Sequence, residues 1–229
     1  YIATTFGTGE IVLWDASDGS EVRQLTGVGD SIRGVIFTND SQQIVAGFGS
    51  EFESSEDPLT LFVWDVETGE IVRSYSLPVI LPTHRGIIGL RSHPTNNDIV
   101  AIAINEGFVP GNEFIADSGN LRYYALNLNT EELTPISADV LLGTADYTPD
   151  GSQFITASLI TNDILVFDTT TYDVIQRWNS SEASNIGLAI SPDGQYLLTG
   201  SGVLASQSVI SVWNIVTGEL MRSYQGHDA

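Results

Sequence analysis

The side chains that do most nucleophilic, metal and acid–base chemistry are unevenly stocked in this 229-residue chain. Cysteine is absent and all eight basic residues are arginine, so there is no lysine. Thiolate nucleophiles, Cys-ligated zinc and Schiff-base catalysis are thereby excluded. Histidine occurs three times, at His84, His93 and His227. Their spacing fits no ligand set. His93 before Pro94 reads as a turn residue, His84 beside Arg85 as a structural hydrogen-bonding group, and His227 after Gly226 as the start of another repeat. No Gly-x-Ser-x-Gly elbow, phosphate-binding loop or His-Glu-x-x-His motif is present. Carboxylates number 29, but in so acidic a chain their spacing alone assigns none to general acid or base work. Asp117-Ser118-Gly119-Asn120 comes nearest to a calcium loop and lacks its Asp/Asn-Gly-Glu order. The expectation is a protein without catalytic residues, resident metal or cofactor.

What the chain does concentrate is carboxylate beside aromatic ring, in two irregular segments. The stretch from Gly47 to Pro58 holds Glu51, Glu53, Glu56 and Asp57 with Phe48 and Phe52. The stretch from Asn105 to Asn120 holds Glu106, Glu113 and Asp117 with Phe108 and Phe114. Rings supply buried area and charges supply selectivity in protein recognition. Phe48, Glu51, Phe52, Glu53, Glu106, Phe108, Glu113 and Phe114 are therefore the candidate partner-binding residues. The plainer alternative is a pair of solvated loops whose Phe side chains cover strand edges.

Both segments interrupt a repeat that must position them. An aromatic residue or Leu followed by Asp or Asn closes an apolar run five times: Trp14-Asp15, Trp64-Asp65, Leu126-Asn127, Phe167-Asp168 and Trp213-Asn214, separated by 50, 62, 41 and 46 residues. A unit of about 40 residues cannot bury its own apolar face and is stabilised by stacking on its neighbours. Each unit reads as four strands. In the best-preserved one, Ile186–Ile190 precedes the turn Ser191-Pro192-Asp193-Gly194. Gln195–Gly200 and Val209–Asn214 follow, and a second turn at Val216–Glu219 leads into Leu220–Tyr224. Pro presets φ in the first turn and Gly closes it at no steric cost. Runs such as Ile11-Val12-Leu13-Trp14 and Ile164-Leu165-Val166-Phe167 are β-branched and aromatic, and no stretch carries a capped helical period. Almost no helix is expected.

The pattern resembles the WD-repeat β-propeller family. Gly27-Val28-Gly29-Asp30-Ser31-Ile32 is similar to that family's Gly-His-x-Asp-x-Val strand entry, with Val28 in the usual His position, and Gly226-His227-Asp228 is similar to its start. The resemblance covers essentially the whole chain. The family's His, Ser/Thr, Asp and Trp network is complete in no repeat. The resemblance implies an all-β propeller of four-stranded antiparallel blades around a channel. It is expected as one segment, 1–229, with blades at about 1–25 (partial), 31–76, 86–137, 140–179 and 185–225, four complete blades and a part. Because the first lacks its inner strand, the segment is expected to belong to a larger propeller. In such a fold the 47–58 and 105–120 loops, with the shorter Ser201 to Ser208, emerge on one rim. Trp14, Asp15, Trp64, Asp65, Phe167, Asp168, Trp213 and Asn214 are then structural repeat residues.

Net charge is −21. It arises from scarce basic residues, not from unusual acidic content. Eight scattered Arg make no basic patch, so nucleic acid is not an expected partner; basic protein surfaces are. No apolar run is long enough to span a membrane as a helix. Absence of cysteine, low total charge and Ser/Thr/Asn richness suit a bacterial secreted or surface protein. The expected function is a protein-interaction scaffold. A propeller hydrolase or lactonase with a metal or carboxylate site at the channel mouth, and a surface-assembly subunit, are the alternatives.

Overall fold

A computed structural model of the chain describes residues 1–6, 9–25, 32–48, 59–77, 86–105, 121–137, 143–158, 161–180, 185–201 and 207–228. Those residues form nineteen strands and no helix. Five antiparallel sheets result, each a meander in chain order. Sheet 1 is β1 (Ile2–Thr5), β2 (Ile11–Trp14) and β3 (Glu21–Leu25). Sheet 2 is β4 (Ile32–Phe37), β5 (Gln43–Phe48), β6 (Thr60–Asp65) and β7 (Ile71–Ser76). Sheet 3 is β8 (Gly86–Ser92), β9 (Ile99–Asn105), β10 (Leu121–Asn127) and β11 (Leu133–Ile136). Sheet 4 is β12 (Ala145–Tyr147), β13 (Gln153–Ala157), β14 (Asp163–Asp168) and β15 (Val174–Asn179). Sheet 5 is β16 (Asn185–Ile190), β17 (Tyr196–Ser201), β18 (Gln207–Asn214) and β19 (Leu220–Asp228). The chain divides into two compact units, residues 1–134 and 135–229.

The aromatic-Asp marker has a local cause. After the next-to-last strand of each sheet the Asp or Asn side chain accepts N–H groups two or three residues on: Ser17 at Asp15 (2.8 Å), Thr68 at Asp65 (2.7 Å), Asn129 at Asn127 (2.9 Å), Thr170 at Asp168 (2.8 Å) and Thr217 at Asn214 (3.0 Å). This is the Asx turn those residues favour. The fifth residue closes back on the marker's carbonyl with positive φ: Gly19, Gly69 and Gly218, and also the non-glycines Glu131 and Tyr172. First turns use a second device. Thr38, Thr148 and Ser191 donate their hydroxyls to Asp40, Asp150 and Asp193, and accept the N–H of Gln43, Gln153 and Tyr196. His93 occupies that position in sheet 3, where its Nδ1 accepts the Thr95 N–H at 3.3 Å.

One detail departs from expectation. Gly226 to Asp228 do not open a new inner strand. They prolong β19, with Asp228 opposite Gln207 beyond a register shift. A shifted backbone pairing extends the fourth strand in place of a new sheet.

Alternation puts the two apolar faces of sheet 2 into different cores. In the first unit, Ile11, Leu13 and Leu25 of sheet 1 bury against Ile44, Ala46 and Trp64 of sheet 2. The other face of sheet 2, with Val45, Leu61, Val63 and Tyr75, buries against Val100, Ile102 and Leu126 of sheet 3. In the second unit, Ile155, Ile164 and Val166 of sheet 4 meet Leu197 and Trp213 of sheet 5. Consecutive sheets therefore stack face to face within each unit.

Candidate functional site

The loops that hold the candidate recognition residues are rooted in hydrogen-bonded strand ends. Phe48 is the last residue of β5 and pairs with Thr60, so the 49–58 segment leaves and re-enters at one closed neck. Leu59 is buried there, and its carbonyl accepts the Leu77 N–H at 2.7 Å. The 106–120 segment springs from Asn105 and Leu121, which pair directly. Gly86, the first residue of β8, pairs with Asn105 on its other side. Sheet 2 is drawn to the same place by a close approach. A Cβ at Gly47 would stand 2.6 Å from Ile87 Cγ2, so only a glycine admits that contact. The roots of 49–58, 78–85 and 106–120 thus cluster at one end of sheets 2 and 3.

Phe48 has a described backbone position; its side chain, together with Glu51, Phe52, Glu53, Glu106, Phe108, Glu113 and Phe114, lies outside the described residues, as do Asp117 and His84. Trp64, Phe167 and Trp213 sit on the third strands of their four-stranded sheets and Trp14 on β2, the middle strand of sheet 1, followed by Asp65, Asp168, Asn214 and Asp15 at the turns that lead into the last strands. Trp64 and Phe167 are fully buried. The rings of Tyr147 and Phe154 meet edge-on at 4.9 Å, and Phe154 meets Phe167 at 6.5 Å. Among the described residues, no three His, Asp or Glu side chains converge as a metal site.

The opposite end of the sheets is tied by turn-to-turn contacts. Asp40 donates its N–H to Asn97 Oδ1 at 3.0 Å and receives Asn97 Nδ2 on its carboxylate at 2.9 Å, linking sheets 2 and 3. Between sheets 4 and 5 the corresponding place is an open groove of about 460 Å³ lined by Thr148, Pro149, Asp150, Pro192, Asp193 and Val216. Hydrogen bonds from Thr148 and Ser191, then from the N–H groups of Ser152 and Gln195, hold the Asp150 and Asp193 carboxyls below their ordinary range. Both carboxylates are committed to their own turns.

Sequence reading missed one set of residues. Residues on the last strand of a sheet reach across to the turn before the last strand of the next sheet. Arg73 donates to the Leu128 carbonyl at 2.8 Å and to Asn129 Oδ1 at 2.9 Å, and the Tyr75 hydroxyl donates to the same carbonyl. Gln176 donates to the Val216 carbonyl at 3.3 Å. The Arg23 side chain lies against Gly69, where a Cβ would meet its Cδ at 2.5 Å. A signal was present: Arg23, Arg73, Gln176 and Arg222 stand opposite the residue just before the aromatic marker in their sheets.

No family model and no curated protein matches this chain. Among solved structures it is similar to the β-propeller domain of Cps50 (Swd1) from Myceliophteria thermophila, at 12% identity and a TM-score of 0.63, over 99% of this chain and 83% of that one. The fold is a β-propeller. Its blades are the sheets described above, four of them four-stranded and the first three-stranded, and the stacking of sheet faces is the packing of neighbouring blades. At that identity the likeness speaks for the propeller fold and not for membership of the WD-repeat family.

Proposed function

We propose that this β-propeller is a WD-repeat-type, non-catalytic interaction scaffold that takes a protein partner on the rim carrying the 47–58 and 105–120 loops. The observation that supports this reading is the clustering of the loop roots: Gly47 against Ile87, and Gly86, Asn105 and Leu121 in one hydrogen-bonded row. Loops that leave one small area of a rigid sheet edge present their side chains to a common ligand. Phe52, Phe108 and Phe114 serve as anchors, and Glu51, Glu53, Glu106 and Glu113 select a basic surface. A chain at −21 attracts such a partner over distance.

The test is co-purification from the native source followed by binding measurements on the isolated pair. Phe52→Ala with Glu53→Arg, and Phe114→Ala with Glu113→Arg, are expected to weaken binding by roughly a hundredfold in total, with unchanged melting temperature. Partners that bind both variants as well as the parent would refute the rim assignment. A rate of substrate turnover that survives purification to homogeneity would refute the scaffold reading.

A further inference from the structure

The first turns of neighbouring blades meet in two different ways. Between blades 2 and 3 the junction is filled from within the chain. Asp40 Oδ1 accepts the Thr38 hydroxyl and the Gln42 N–H, and the Asn97 carboxamide then seats on the same residue. Its Nδ2 lies 2.9 Å from Asp40 Oδ2 and its Oδ1 lies 3.0 Å from the Asp40 N. Asn97 reaches that place because its turn is longer. The His93 N–H closes on the Ile99 carbonyl six residues on, whereas the Thr38, Thr148 and Ser191 N–H groups close five residues on.

Asp150 of blade 4 makes the same turn bonds as Asp40. Its Oδ1 accepts the Thr148 hydroxyl at 2.6 Å and the Ser152 N–H at 3.0 Å, and the Ser152 hydroxyl is shared between both oxygens at 2.9 Å. Facing it is the short Ser191–Tyr196 turn of blade 5, where Gly194 adds no reaching side chain. A Cβ at Gly194 would stand 3.5 Å from Pro149 Cδ. Among the described residues no neighbour accepts the Asp150 N–H, and no blade 5 side chain bonds its carboxylate. The junction stays open as the groove of about 460 Å³, a size typical of ligand sites.

A second departure from the repeat lines the same groove. The second residue after the marker pair is Ser17, Glu67, Asn129 and Thr170 in blades 1 to 4, polar and exposed in each. In blade 5 it is Val216, 80% exposed. With Pro149, Pro192 and Ile215 it makes one side of the groove apolar, and Ile215 roots that side in the core shared by blades 4 and 5.

We propose that this groove binds an Asn or Gln side chain of a partner polypeptide, its carboxamide spanning the Asp150 N–H and carboxylate as Asn97 spans those of Asp40, with a neighbouring apolar side chain on Val216, Pro149 and Pro192. A carboxamide brings one acceptor and two donors, the set that Asn97 supplies at Asp40 and that no residue supplies at Asp150. An ammonium or guanidinium has no acceptor for the N–H. A carboxylate has no donor and meets Asp150 and Asp193 as like charges, since turn hydrogen bonds hold both ionised at neutral pH. The site shares no residue with the rim proposed above and does not rest on it.

Acetyl-Leu-Asn-N-methylamide and acetyl-Asn-Leu-N-methylamide are the probes, covering both chain directions, with their Asp and Arg counterparts as controls. In an amide NMR titration of the full chain, millimolar Asn probe is expected to move the Asp150 N–H downfield as it gains an acceptor. The Asp counterparts are expected to bind roughly tenfold or more weakly. Asp150→Asn keeps an acceptor for Thr148 and for the Ser152 N–H while giving the groove a donor, and is expected to reverse the order so that the Asp probe binds best. Val216→Glu, the residue type blade 2 carries there, is expected to weaken the Asn probe by roughly threefold or more with unchanged melting. An Asp150 N–H that ignores every probe, Asn and Asp probes that bind alike, or Arg probes that bind best would each overturn the proposal. So would an order that survives Asp150→Asn, or binding indifferent to Val216→Glu.

Discussion

The indole Nε1 of Trp213 donates to Thr199 Oγ1 at 3.0 Å, in a buried bond set diagonally across β17 and β18. Trp14 makes the same diagonal bond to Thr4 at 2.8 Å. Where the ring is Phe167 there is no N–H to satisfy, and the hydroxyl of Thr156, at the Thr199 position, goes to the Thr144 carbonyl at 2.9 Å. Thr199→Val is therefore expected to cost about 1–3 kcal/mol, the range for an orphaned buried donor. Trp213→Phe in the same chain should recover part of that loss. Urea denaturation of the two single variants and the double one checks it, and strict additivity would contradict the coupling.

Trp64 is 1% exposed between the first and second blades. Trp64→Ala is expected to destabilise the chain by about 3–5 kcal/mol through lost burial and a residual cavity. Glu53→Ala, on the candidate rim, should stay within about 0.5 kcal/mol. Equal effects in chemical denaturation would mean that the repeat register is wrong.

Second turns need a left-handed residue, and Glu131 supplies it at φ 60° from an exposed position. Glu131→Gly is expected to stabilise by up to about 1 kcal/mol, since relief of the strained Cβ outweighs glycine's greater entropy loss. Gly218→Ala is expected to cost about 1–3 kcal/mol, because φ is +69° and a Cβ would press on the Trp178 ring at 3.2 Å. Thermal melts of both variants measure the pair of opposite signs.

Acid should weaken the fold in a defined window. Turn hydroxyls or N–H groups hold Asp15, Asp40, Asp65, Asp150, Asp168 and Asp193 below their ordinary value of 3.8. At Asp163, burial pushes the carboxyl up, but hydrogen bonds from Thr161, Asn179 and Arg177 outweigh it and the net direction is also down. A folded-state pKa below the unfolded one gives stability that is complete above the unfolded value and is lost as pH falls through the folded value. Net charge works the other way, since repulsion at −21 relaxes toward the isoelectric point near 4.1. Melting temperature is thus expected to hold or rise slightly from neutral pH to about 5 and to drop below about 3.8. A flat profile down to pH 2 would show that the turn carboxylates contribute nothing.

Much of the fold was legible from residue order alone. Asp or Asn after an apolar run states its turn because the side chain bonds N–H groups two or three places along, and Thr-x-Asp or Ser-x-Asp states the other turn for the same reason. Both devices act within six residues, so no distant partner is needed to read them.

Contacts between blades were beyond that reach. That Gly47 must be bare for Ile87, that Arg73 and Tyr75 converge on one carbonyl 53 or more residues away, and that Asn97 covers Asp40 while the equivalent Asp150 is left open all depend on which faces meet. Local chemistry determined the strands, turns and markers, because their partners lie within one hairpin. Only tertiary packing decided which copies of a repeated face are covered, because identical sequence positions take different roles according to what stacks on them.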